Sequence, residues 1–120
     1  MNYPSRMENR RVFQIAYDRN LLFTREELLK TRGYEVTSVF GNDAAKGVLT
    51  RSQKYRLFIV GHDAPKETKQ EMVRWLKDNF SEIKILALNA PFQEPVTGVD
   101  VNVLMNGPEE WLAAVEEIAA

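Results

Sequence analysis

Short apolar runs alternate with longer segments in which apolar residues recur every three or four positions, and this pattern continues from residue 11 to the end of the chain. The clearest run is Tyr55-Arg56-Leu57-Phe58-Ile59-Val60-Gly61, whose uncharged centre marks a strand covered on both faces. Residues 11–17, with Val12, Phe13, Ile15, Ala16 and Tyr17, form a second buried strand. Residues 35–40, 83–88 and 101–105 complete a set of five.

Between the strands the period changes. Leu21 and Leu28, like Leu22 and Leu29, are seven apart, which puts both pairs on one helical face and turns Arg25, Glu26, Glu27 and Lys30 mostly outward. Gly33 stops that helix. Asn20 is the expected N-cap, because the later start offered by Thr24 with Glu27 forfeits two leucines. Gly41-Asn42-Asp43 caps a short helix whose stripe is Ala44, Ala45, Val48 and Leu49. Pro65 opens a helix with Met72, Val73, Leu76 and Phe80 inside and the charges of residues 66–77 solvated. Pro91, Pro95 and Gly98 limit residues 89–100 to a turn or two of helix. Pro108-Glu109-Glu110 opens a last helix that buries Trp111, Leu112, Val115 and Ile118, with its acids at the positive end of the dipole.

Five strands alternating with helices specify an α/β domain: a parallel sheet, helices on both faces and right-handed crossovers. Residues 1–10 are polar and read as a flexible leader in which Met7 is an alternative start; residues 11–120 are the domain. The absence of cysteine removes disulfides, thiolate nucleophiles and Cys-based zinc, and makes a cytoplasmic setting the default. Sixteen basic against 17 acidic residues leave a net charge of −1, which gives no nucleic-acid footprint. No apolar stretch reaches membrane-spanning length, and the first residues lack the apolar centre of a secretory signal.

Several landmarks together resemble the receiver domain of two-component response regulators, over residues 11–119. They are Leu28-Leu29-Lys30-Thr31-Arg32-Gly33-Tyr34-Glu35-Val36, the run from Tyr55 to Pro65, Ile85-Leu86-Ala87-Leu88-Asn89-Ala90, Gly98-Val99-Asp100 and Pro108-Glu109-Glu110-Trp111-Leu112. The resemblance implies a flavodoxin-like fold, a five-stranded parallel sheet with strand order 2-1-3-4-5. It also implies a fourth helix that this chain has too few residues to build in full, so that helix is expected shortened or absent and the crossover irregular.

The resemblance further implies an aspartyl nucleophile after strand three, an acidic pair for magnesium after strand one, a hydroxyl after strand four and a lysine after strand five. The matching positions here are Gly61, Ala16 with Tyr17, Asn89 and Met105; Asp18 is the only acid left nearby, and Asn106 replaces the proline after the lysine. Glycine cannot form an acyl phosphate. Losing one charge of a clustered set costs about 3–5 kcal/mol, whereas neutral replacement of the whole set is nearly free. The expectation is therefore a degenerate receiver with no enzymatic activity, no cofactor and no metal site. Tyr17 and Met105 are expected to fill the vacated pocket.

Other candidates carry less chemistry. His62 and Asp63 are adjacent, so an acid/base or metal role competes with simple loop polarity in which Asp63 caps the next helix. Asp18 is a remnant metal ligand or a cap. Phe92, Val103 and Trp111 border the thinly covered crossover and form the candidate interaction surface, although Trp111 fits the core better. The leading functional expectation is phosphorylation-independent signalling through a protein partner or a homodimer. Its rivals are a ligand-sensing pocket at Tyr17, Asp18, Gly61, His62, Asn89 and Met105, and residual phosphotransfer through His62 or Asp63.

Overall fold

The computed structural model describes residues 9–120. Five parallel strands, β1 (Arg11–Ala16), β2 (Glu35–Phe40), β3 (Leu57–Val60), β4 (Lys84–Asn89) and β5 (Val101–Leu104), lie in the order β2-β1-β3-β4-β5. Three helices connect them, α1 (Arg19–Thr31), α2 (Asn42–Val48) and α3 (Lys66–Asn79), and a fourth, α4 (Pro108–Ile118), follows β5. The alternation anticipated from the pattern is the alternation observed. Of the leader, Met7 lies outside the described residues; Arg10 is tied down, with its guanidinium donating to the carbonyls of Arg32 and Gly33 at the end of α1.

Because successive strand residues face opposite sides, each central strand feeds two cores. Phe13, Ile15, Phe58, Val60, Ile85 and Ala87 meet Ala45 and Leu49 around α2 and Met72, Val73 and Leu76 of α3. Val12, Leu57, Ile59, Leu86 and Leu88 meet Leu29 of α1 and Trp111, Leu112 and Val115 of α4. The central strands β3 and β4, packed this way, are buried along their length apart from Lys84 at the start of β4, at roughly 1.5–3 kcal/mol for each large side chain, and that requirement holds the sheet in register.

Several local expectations change. The N-cap of α1 is Asp18, whose carboxylate accepts from the Leu21 N–H at 2.9 Å, so the helix begins before Asn20. Arg25 does not face outward; it shares a buried face with Leu22 and Leu29. On α2 only Ala45 is buried and Val48 is exposed, because a helix of two turns presents a narrow stripe to the sheet. Asp63 caps nothing: α3 starts at Pro65 without a side-chain cap. Lys69, expected among the solvated charges of α3, is buried beside Met72, Val73 and Leu76.

The crossover from β4 to β5 runs without a helix, as its prolines and length require. Side-chain amides supply the order that helical hydrogen bonds would have supplied. Asn102 accepts from the Val96 N–H and donates to the Val96 carbonyl, Gln70 exchanges both bonds with Thr97, and Lys66 pairs with Glu94. These anchors push Val96 into the core with Val99 packed against it, so the face beneath the loop is covered by two valines rather than by a helical turn. Among the described residues no helix is long and apolar enough to cross a membrane.

Candidate functional site

In an open parallel sheet the groups at the carboxyl ends of the strands converge, and here that rim is formed after β1, β3 and β4. Gly61 follows β3 and its N–H donates to the Ile15 carbonyl at 2.8 Å, so β3 stays paired with β1 one residue beyond the strand. A Cβ at residue 61 would stand 2.9 Å from Arg25 Nη1 and 3.1 Å from the Ile15 carbonyl oxygen. Space, not torsion, demands glycine. The volume into which a side chain at 61 would extend holds the guanidinium of Arg25.

Arg25 reaches this place because it lies three residues after Leu22 and four before Leu29, on the apolar face of α1. It is 2 % exposed. Its Nη2 donates to His62 Nδ1 at 2.8 Å, and since the guanidinium stays charged, the imidazole Nδ1 must be the unprotonated acceptor. Burial, then the Arg25 charge, hold His62 below its ordinary pKa. Burial also draws Arg25 itself down to about 10, against the attraction of Asp18 and Asp63. Arg25 Nε is buried without a partner.

A second cation arrives from α3. Lys69 is 1 % exposed, and its ammonium donates to the Leu88 carbonyl and Asn89 Oδ1, each at 2.9 Å, and to Gln93 Oε1 at 3.3 Å. Burial, with Arg25 adding repulsion, brings its pKa down to about 8. Gln93 ties the arrangement together: its amide donates to the His62 carbonyl, and its oxygen also accepts from the Ala90 N–H. Asn89 continues the chain of bonds to Asn102. Among the described residues no carboxylate comes within ion-pair distance of Arg25 or Lys69.

The expected site residues therefore divide. Gly61, His62 and Asn89 do come together at the rim, linked by Arg25, Lys69 and Gln93. Tyr17 and Met105 do not fill the place beside Gly61. The Tyr17 hydroxyl donates to Asn42 Oδ1 at 2.6 Å toward α2, where burial and Glu71 raise its pKa. Met105 packs with Trp111 and, with Leu21 and Leu28, bounds an apolar groove of about 190 Å³ between α1 and α4. Ala16 is buried, and Asp63 is exposed. Trp111, 2 % exposed, is core and offers a partner nothing; of that candidate surface Phe92 is fully exposed and Val103 is half-buried. Arg25, Lys69 and Gln93 escaped the sequence reading. The first two carried a signal, since each occupies an apolar stripe at i+3 or i−4 from buried residues.

Chemically, this rim is rich in donors and holds two buried positive charges. A divalent cation placed there would face repulsion rather than ligands. Among the described residues no three His, Cys, Asp or Glu side chains are grouped to hold a metal ion.

No protein-family model matches the chain, and no curated protein matches it. Solved structures do match. A CheY-like response regulator receiver domain protein from Methanospirillum hungatei superposes with a TM-score of 0.79 at 14% identity, covering 93% of this chain and 94% of that one. The complex of histidine kinase ThkA with response regulator TrrA matches at 0.77 and 19% identity, covering 92% and 99%. A protein named adenylate cyclase from Rhodopirellula baltica matches at 0.78 and 17% identity, covering 92% and 87%. At these identities the likeness is one of architecture, and the chain has the fold of response regulator receiver domains.

Proposed function

We propose that this chain is a receiver-like signalling module that acts by protein contact without aspartyl phosphorylation. The observation that carries the reading is the Arg25 guanidinium standing where a side chain at position 61 would be. An acceptor carboxylate there is absent from the sequence, and the space it needs is occupied by a group of opposite charge. Lys69 adds a second charge that disfavours magnesium. The same occupancy weakens the ligand-sensing alternative, because Arg25 takes the space beside Gly61, and Lys69 and Gln93 link Asn89 to the His62 carbonyl. The partnership of TrrA with a histidine kinase belongs to that protein; for this chain it supports a protein partner as the kind of ligand to seek. Phe92 and Val103, on and beside the helix-free crossover, are the contact residues proposed for that partner or for a second copy.

Incubation with acetyl phosphate and magnesium followed by intact-mass measurement tests the first half of the proposal. The expected spectrum shows unmodified protein. A phosphoryl adduct removed by His62→Ala or Asp63→Ala would replace the proposal with residual phosphotransfer. Light scattering and affinity capture with Phe92→Ser as the control test the second half. A monomer that retains no partner, or capture indifferent to Phe92→Ser, would overturn it.

A further inference from the structure

The opposite edge of the sheet, where the strands begin, carries a cleft of about 390 Å³ between the α2–β3 connection, the start of β4 and the end of α4. This is within the size range of small-molecule sites. Four cationic side chains, Arg51, Lys54, Arg56 and Lys84, contribute to its lining; Glu82 is the one acidic side chain there, with the carboxyl end of Ala120 beside it. Helix C-termini at this edge attract cations, and that accounts for Arg56, whose Nε donates to the Ala119 carbonyl at 2.7 Å.

It does not account for the others. Among the described residues Arg51, Lys54 and Lys84 form no ion pair and no side-chain hydrogen bond, while Arg11, Lys30, Arg32, Lys46 and Lys66 each meet a carboxylate. Arg51 lies over the Phe80 ring, 5.9 Å from its centroid, but in a chain whose charges nearly cancel, three cations without an anionic partner among the described residues around one concavity are a local surplus.

We infer that this cleft binds a small molecule bearing two or more phosphate groups, such as pyrophosphate or a nucleoside di- or triphosphate. Arginine supplies a planar fork for phosphate oxygens and the two lysines supply mobile point charges around it. The concave shape and the single cluster of cations favour a compact polyanion over a nucleic-acid strand, which needs a continuous basic track.

Isothermal titration calorimetry of the whole chain at low salt, with pyrophosphate and ATP in turn and a single-stranded oligonucleotide as comparison, decides the matter. Saturable binding below about 1 mM, weakened at least about tenfold in Arg51→Gln/Lys84→Gln while the thermal melt stays in place, is the expected result. Amide chemical shifts should move at residues 51–56 and 82–84 and not at His62. Absence of saturable binding, binding unaffected by the double substitution, shifts centred on His62, or an oligonucleotide that pyrophosphate does not displace would each overturn the inference. The cleft is remote from the Gly61 rim, so its failure leaves the proposed signalling role standing.

Discussion

Both edges of this sheet concentrate positive charge, and they use it in opposite ways. At the carboxyl edge Arg25 and Lys69 are buried, Arg25 donating through Nη2 to His62 and Lys69 donating to Leu88, Asn89 and Gln93. At the amino edge Arg51, Lys54 and Lys84 are exposed and, among the described residues, make no side-chain hydrogen bond and meet no carboxylate, Arg51 lying only over the Phe80 ring. A cation enclosed by carbonyls and amides is a structural part, whose removal leaves acceptors orphaned. A cation facing an open cleft is free to meet a ligand. Charge alone does not distinguish the two edges; the location of the partners does.

The sharpest way to break the comparison is to remove one charge from each edge. Lys69→Ala should lower the stability to urea by about 2–5 kcal/mol, since it opens a cavity and takes the ammonium from the Leu88 carbonyl and Asn89 Oδ1. Lys54→Ala or Lys84→Ala should change it by no more than about 0.5 kcal/mol. Equal losses at the two edges would contradict the distinction. Gly61→Ala should cost about 1–3 kcal/mol by overpacking against Arg25 and the Ile15 carbonyl. In an Arg25→Ala background part of that cost should vanish and the part due to Ile15 remain, a coupling that a double-mutant cycle of denaturation midpoints measures. Asp18→Ala should cost about 1 kcal/mol as a lost N-cap, and chemical denaturation of that variant separates a capping carboxylate from an idle one.

A pH dependence should accompany these losses. His62 titrates lower in the folded chain than in the unfolded one, so the unfolded chain takes up the proton first and stability falls as pH drops from about 6.5 through the folded value. His62→Gln should flatten that part of the stability profile. Lys69 gives the matching signature on the alkaline side. Its folded pKa of about 8 lies below the unfolded 10.5, so stability should rise between those values and the rise should be absent in Lys69→Met.

Much of this molecule could be read from the chain. Five β-rich runs, the Gly33 stop, the Pro108 start and the prolines of residues 89–100 fixed the strand count, the sheet type and the missing helix, because each is a local property of backbone torsion or apolar period. That position 61 offers no side chain to the rim was equally legible. What filled the gap was not legible. A charged residue on an apolar stripe is ambiguous until its surroundings are known: Lys30 and Lys69 are both helical lysines, yet one pairs with Glu26 in solvent and the other caps the end of β4. Whether a cation is solvated, buried or left facing a cleft depends on carbonyls and carboxylates brought from distant parts of the chain. Only the tertiary structure gathers those groups, and so only it decided that Arg25 would stand beside Gly61 and that Arg51, Lys54 and Lys84 would be left open.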